Sequence, residues 1–200
     1  ASVRADGSSL FGVNKRWGVF WSVGASWNID KEAFMNDVEW INQLKLRYSY
    51  GVNGNNNIGA YAAYALYGTG RYNGIMGWAP GQLPNPDLTW ETNLAHNVGV
   101  DFRFWNRVYG SLDYYNRRTH DLIWSRPTPS STGLSSRLEN VGILQNQGFE
   151  FDVTVDLIKT KDVYWNINLN GSTSNTVLID YPAELGNPAL GGNYVSGRFL

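Results

Sequence analysis

The feature that most constrains this chain is a two-residue alternation of apolar and polar side chains, repeated in segment after segment. Successive side chains of a β-strand point to opposite faces, so alternation builds one apolar and one polar face. From Trp90 to Phe104 the even positions read Trp90, Thr92, Leu94, His96, Val98, Val100, Phe102 and Phe104. The odd positions read Glu91, Asn93, Ala95, Asn97, Gly99, Asp101 and Arg103. After Trp105-Asn106-Arg107, Val108, Gly110, Leu112 and Tyr114 oppose Tyr109, Ser111, Asp113, Tyr115 and Arg117. Phe149, Phe151, Val153, Val155 and Leu157 oppose Glu150, Asp152, Thr154 and Asp156. Past Lys159-Thr160-Lys161-Asp162, Val163, Trp165, Ile167 and Leu169 oppose Asn166, Asn168 and Asn170. Earlier, Val19, Trp21, Val23, Ala25, Trp27 and Ile29 oppose Ser22, Gly24, Ser26 and Asn28, and Leu44, Leu46, Tyr48 and Tyr50 oppose Lys45, Arg47, Ser49 and Gly51. Six strands follow, with a seventh candidate at Ser2 to Ala5.

The connections alternate in length. Two Gly/Asn/Tyr-rich stretches, about 53–87 and 126–146, separate strands that are otherwise joined by the short links 105–107 and 159–162. The link 30–42 is intermediate, and its run Lys31 to Val38 predicts one or two helical turns with Asp30 as N-cap. Long loops on one side and short turns on the other are the asymmetry of an outer-membrane barrel. On that reading the strand from Val19 runs inward and the next outward, alternating through the chain. Each apolar stripe covers about 10 residues, the length a tilted strand needs to cross the hydrocarbon. Trp27, Phe104, Trp105 and Trp165 then fall at the periplasmic interface, and Trp17, Tyr50 and Trp90 at the outer one, as two aromatic girdles. His96 falls on the apolar face near the outer interface. Arg118 falls on the same face, close enough to the outer end to snorkel.

A soluble β-sandwich also alternates, burying its apolar face on a second sheet. The polar face here carries Lys45, Arg47, Asp101, Arg103, Asp113, Glu150, Asp152 and Asp156, too many charges to bury but natural beside a watery lumen. A one-residue slip would place them in lipid, at ~2–4 kcal/mol for each central Arg or Lys. The expected fold is therefore all-β: six or seven strands of an antiparallel transmembrane β-barrel. That number falls short of the ~8 strands of the smallest closed barrels.

Composition excludes several functions. Sixteen basic and seventeen acidic residues leave a formal net charge of −1, with no basic footprint for nucleic acid or anionic membrane. The chain has no Cys, which removes disulfides, thiolate metal sites and thiol nucleophiles. Only His96 and His120 are present, and neither a His-Glu-x-x-His nor a Gly-x-Ser-x-Gly pattern occurs. Gly68-Thr69-Gly70-Arg71-Tyr72-Asn73-Gly74 has the wrong spacing and context for a dinucleotide loop, and Asn53 to Asn57 lacks the acids of a calcium loop. Carboxylates such as Glu150 and Asp152 recur by alternation and read as a polar wall. No catalytic residue, metal site or cofactor is expected, and the chain does not read as an enzyme. Aromatics reach 14%, and Tyr61, Tyr64, Tyr67, Tyr72 and Trp78 in the first long loop are the candidates for stacking on a sugar or peptide. The lumen wall is expected to carry Arg47, Asp101, Arg103, Asp113, Glu150, Asp152 and Asn168.

Several blocks resemble the SusC/RagA family of TonB-linked outer-membrane transporters. They are Arg4-Ala5-Asp6-Gly7-Ser8-Ser9-Leu10-Phe11-Gly12 with Arg16-Trp17-Gly18 and Phe20; Leu44 to Gly51 followed by Gly54-Asn55; Asn85-Pro86-Asp87-Leu88-Thr89-Trp90-Glu91; Gly99-Val100-Asp101-Phe102; Asp113-Tyr114-Tyr115-Asn116 with Thr119 and Asp121-Leu122-Ile123; and Asn140-Val141-Gly142 with Asn146 to Glu150. Their order and spacing carry the resemblance from Ala1 to about Asp180. It implies a larger protein, with an N-terminal plug inside a barrel of about 22 strands. Residues 1–200 would be a middle-to-late barrel segment without plug or TonB box, and Gly191 to Leu200 reads as a loop cut mid-course. The resemblance further implies import of oligosaccharides or peptides across the bacterial outer membrane. A SusD-like surface lipoprotein would be the partner, and the TonB–ExbB–ExbD complex would supply energy through the N-terminal part. No family motif assigns substrate contacts to particular residues. The alternatives are a soluble carbohydrate-binding β-sandwich and a passive outer-membrane porin.

Overall fold

An alternating strand needs a partner along each edge, and the chain supplies them by antiparallel return. A computed structural model describes residues 1–180 with Tyr194–Val195 and Arg198–Phe199; the side chains of Tyr72 and of those last four residues lie outside the description. The strands are β1 (Ser2–Gly7), β2 (Trp17–Asn28), β3 (Ile41–Asn55), β4 (Leu66–Tyr72), β5 (Ile75–Gln82), β6 (Glu91–Phe104), β7 (Val108–His120), β8 (Ile123–Pro127), β9 (Ser136–Asn140), β10 (Ile143–Lys159), β11 (Tyr164–Asp180), β12 (Tyr194–Val195) and β13 (Arg198–Phe199). The main sheet has the order β1-β2-β3-β6-β7-β10-β11-β13-β12, an open up-and-down meander as far as β11, with β13 beside β11 and β12 outermost. All six expected strands form, and the seventh is β1. Within the stretch Gly191 to Leu200, β12 and β13 add two short edge pairs; the rest of it lies outside the described residues.

The register keeps the two faces apart across the whole sheet. One row reads Ala25↔Tyr48↔Val98↔Tyr114↔Phe149, and its neighbour Trp27↔Leu46↔Val100↔Leu112↔Phe151. No layer of described residues covers this apolar face: Val19 is 64% exposed, Phe149 63% and Leu169 62%. The second sheet of a sandwich is absent among the described residues.

The short-link end departs from the sequence reading in two places. Residues Ile29–Lys31 and Ala33–Met35 are single 3₁₀ turns, and Asp30 is not an N-cap. It lies inside the first turn, where its carboxylate accepts the Leu44 amide at 3.2 Å. Near the end of β10 a bulge shifts the phase, so that Ile158 and not Leu157 pairs with Trp165. Another bulge near Asn42 directs that side chain toward the β6–β7 turn, where its Oδ1 accepts the Asn106 amide at 2.6 Å. Trp105 and Asn106 both have positive φ, 51° and 54°, as a type I′ turn requires. A left-handed Trp costs about 1–2 kcal/mol. The stack of Trp40 on Trp105 at 5.3 Å and the Trp105 amide bond to the Trp40 carbonyl at 2.8 Å offset that cost.

The long-loop end holds the fold's buried core. The excursion placed at 53–87 spans 56–90, because β3 runs on to Asn55, and it folds back as the β4/β5 hairpin. The second spans 121–142 and forms the β8/β9 hairpin. Phe11, Phe20, Ala62, Ala63, Leu88 and Trp90 pack together beneath them. Phe11 and Leu88 are fully buried. Trp90, expected in an aromatic girdle, is only 8% exposed. Its ring lies 5.2 Å from Phe11 and edge-on to Phe20 at 5.3 Å. Phe20 sits on the polar face of β2, over the space that Gly54 leaves open. Asn85 and Asn140 join the two excursions: the Asn85 amide donates to Leu138 O at 2.7 Å, and Asn140 accepts the Thr89 amide and donates to its carbonyl, both at 2.9 Å.

Replacing Phe11 by Ala leaves a cavity in this core and should cost about 3–5 kcal/mol of local stability. Trypsin cutting after the exposed Lys15 and Arg71 is expected to accelerate, since cleavage follows the population of the opened loop. Unchanged cutting rates would show that the cluster does not hold the loops.

Candidate functional site

Polar side chains gather on the face opposite the apolar stripe. Its rows are Ser26↔Arg47↔Gly99↔Asp113↔Glu150↔Ser172 and Lys45↔Asp101↔Ser111↔Asp152↔Asn170. Gln43↔Arg103↔Tyr109↔Thr154↔Asn168 forms a third. The seven residues expected on the wall therefore share one face and lie in three adjacent rows.

The centre of this face is a guanidinium between two carboxylates. Arg47 Nη2 donates to Asp101 Oδ1 at 2.8 Å and to Asp113 Oδ1 at 3.0 Å. Those partners sit on β6 and β7, so one side chain from β3 ties three strands. It reaches β7 by crossing Gly99, where an added Cβ would collide with the Asp113 carboxylate and approach Arg47 Nη2 to 2.8 Å. Glycine is needed at 99 for the space above the strand. Next to the triad lies an open cavity of about 730 Å³, lined among others by Arg47, Asn97, Asp113, Tyr115, Arg117 and Glu150. Such a surface can bind water and polar ligands along a strand wall.

Toward the short-link end the face is closed by local hydrogen bonds. The Asn168 amide donates to Asp152 Oδ1 at 3.0 Å and Thr154 Oγ1 at 2.9 Å, while Arg103 stacks over the Tyr109 ring at 4.7 Å. Buried Asp156 accepts the Tyr164 hydroxyl at 2.7 Å and lies 3.6 Å from Lys159 Nζ. Nothing in this set pairs a nucleophile with a base, and the acids are engaged as acceptors.

The four loop aromatics whose side chains are described fall in two places. Tyr61 and Tyr64 meet edge-on at 6.4 Å in the turn before β4. Tyr67 and Trp78 share one face of the β4/β5 hairpin, where Trp78 is 78% exposed. Tyr72 ends β4 opposite Ile75, its side chain outside the described residues. Gln82 fixes the tyrosine turn, its amide donating to the carbonyls of Tyr61, Ala62 and Tyr64 at 3.0, 3.0 and 2.8 Å. Sequence reasoning missed Arg16, which donates from Nη2 to the Tyr64 hydroxyl at 3.2 Å. The two residues are far apart in the chain, and only the folded loops bring them together.

The family model described as TonB dependent receptor-like, beta-barrel matches residues 1–198. TonB-dependent receptor P39 of Formosa agariphila is 39% identical over 188 residues, covering 93% of this chain and 18% of that protein. TonB-dependent receptor SusC of Bacteroides thetaiotaomicron is 33% identical, covering 96% of this chain and 21% of that protein. Among solved structures, the RagAB peptide importer in its closed-closed state superposes with a TM-score of 0.81 at 32% identity, over 89% of this chain and 20% of that one. The chain spans about a fifth of the length of the relatives it matches. It belongs to the TonB-dependent receptor-like β-barrel family, of which it represents a stretch of the strand wall.

Proposed function

We propose that this chain is part of the barrel wall of a TonB-dependent importer in the bacterial outer membrane. The supporting observation is a sheet that leaves a continuous apolar face bare while gathering its charges on the other. In water that arrangement would expose apolar surface without compensation. In a bilayer the bare face meets lipid, and the face of Arg47, Asp101, Arg103, Asp113, Glu150, Asp152 and Asn168 lines a lumen. The long-loop end is then outside the cell and the short-link end in the periplasm. The role of the wall is to hydrate a passage and carry loops that meet the substrate. The bond chemistry of the cargo is left unchanged.

The cargo class is oligosaccharide or peptide, taken at the outer loops where Tyr61, Tyr64, Tyr67 and Trp78 are placed. RagAB, which this chain resembles in fold and sequence, is a peptide importer. A SusD-like surface lipoprotein is the proposed partner at the outer mouth, and TonB–ExbB–ExbD the energy source through the N-terminal part of the full-length protein. Family membership supports an importer over a passive porin.

Two outcomes are expected of the full-length protein. It should fractionate with the outer membrane and change gel mobility on boiling; recovery in the soluble fraction without detergent would overturn the reading. Single cysteines at Asp113 and Asp152 should react with a water-borne maleimide, while cysteines at Leu112 and Val155 should be shielded by lipid. Reversed reactivity would refute the assignment of faces.

A further inference from the structure

Arg16 is a guanidinium held in the loop core without an acid beside it among the described residues. Arg47 is shared by Asp101 and Asp113, and Arg126 and Arg137 both bond Glu139. Arg16 has no acidic partner among the described residues; its Nη2 donates to the Tyr64 hydroxyl at 3.2 Å, and its enclosed Nε, like those of Arg47 and Arg137, makes no hydrogen bond. Its backbone is fixed from two sides, since Arg16 O accepts the Ser8 amide at 2.9 Å and the Trp90 indole at 3.2 Å. The side chain borders a cavity of about 560 Å³ lined by Ser9, Leu10, Arg16, Ala60, Tyr61 and Tyr64. Among the described residues, Arg16 is the only charged one in that lining. In the same lining, Tyr61 holds a left-handed backbone, φ 62°, with its carbonyl accepting the Gln82 side-chain amide. A bulky residue in that conformation costs free energy and persists only when its surroundings impose it.

We propose that this cavity is a subsite for a carboxylate group on the cargo. The guanidinium fork matches a carboxylate geometrically and electrostatically, and no described acid occupies it. The Tyr64 and Ser9 hydroxyls add hydrogen bonds, and the two tyrosine rings offer faces to the adjoining sugar ring or peptide plane. The carboxylate comes either from a uronic acid or from a peptide C-terminus. The proposal rests on the importer reading for its biological meaning, but the binding itself can be measured apart from transport.

The test uses purified full-length protein in detergent and titration calorimetry with four probes. Tri-galacturonate and N-acetyl-trialanine carry the carboxylate; maltotriose and N-acetyl-trialanine amide are their neutral counterparts. At least one carboxylate probe should bind, and Arg16→Gln should weaken it roughly tenfold or more, as expected for a charge-assisted hydrogen bond. Arg16→Lys should lose less, and whatever binding the neutral probes show should not respond to either change. The carboxylate probe that depends on Arg16 identifies the source. The proposal is overturned if neither carboxylate probe binds, if Arg16→Gln leaves their affinity unchanged, or if the neutral probes lose as much. If Arg16→Gln fails to give the heat-modifiable folded form, Ser9→Glu supplies the second variant. Its internal carboxylate should occupy Arg16 and abolish the same binding, and retained binding overturns the proposal. Fractionation of the same protein separates the two readings. Absence from the outer membrane defeats the importer while the binding result stands, and membrane residence with Arg16-independent binding defeats the subsite alone.

Discussion

The antiparallel ladder from β1 to β11 does two jobs with one set of hydrogen bonds. It pairs backbone groups that would otherwise be stranded in hydrocarbon, and it decides which side chains share a face. A slip of one residue between β6 and β7 would put Asp113 in the apolar row and Leu112 in the polar one. Contacts at glycines oppose such slips. Gly110 lets the Asp152 carbonyl come close, Gly148 lies under the Tyr115 ring, and Gly171 lies under Phe151. At each position a side chain arriving by slippage would collide. Aromatic rings laid over strand glycines thus pin the register while covering exposed backbone.

The Arg47 triad acts on the same problem. Its members keep from a quarter to two fifths of their side-chain surface exposed, so solvent screens the pairs and each is worth about 1 kcal/mol or less. That is small beside the register penalty it helps enforce. One guanidinium bonded to carboxylates on two further strands has a single satisfying alignment, so its contribution is to specificity more than to stability. The cost of the arrangement is a glycine at 99, which gives up side-chain packing so that Arg47 can lie across β6.

The strands and their faces were legible because period-two alternation survives wherever a sheet meets unlike media on its two sides. Legibility fails where the chain leaves that boundary. Trp90 continues the even-numbered apolar series of β6, yet it precedes the strand and turns into the loop core beside Phe20. Leu157 also follows its series, until a bulge passes the apolar role to Ile158. The β4/β5 hairpin was hidden because four of its positions, Gly68, Gly70, Gly77 and Gly81, carry no side chain to alternate. The wall residues Arg47, Asp101 and Asp113 were readable as one face, but their mutual bonding was not. Arg16 stood in a block whose pattern pointed only to family resemblance. Its lack of an acid partner is a property of three-dimensional neighbours.

The loop core explains why the loop end can present a shaped surface at all. A lone two-stranded hairpin is marginal in water, and an excursion as long as 56–90 would ordinarily be mobile. Here Phe11, Leu88 and Trp90 bury apolar area under both excursions, and Asn85 and Asn140 satisfy the backbone where the two meet. The same Trp90 that fills this core also holds the Arg16 carbonyl, and buried Ala62 and Ala63 sit within the tyrosine turn that faces it. Packing, backbone hydrogen bonding and the position of the Arg16 guanidinium are therefore one structure. Groups fixed in this way lose little further freedom when a ligand arrives, so their contacts are not offset by the ordering cost that a mobile loop would impose.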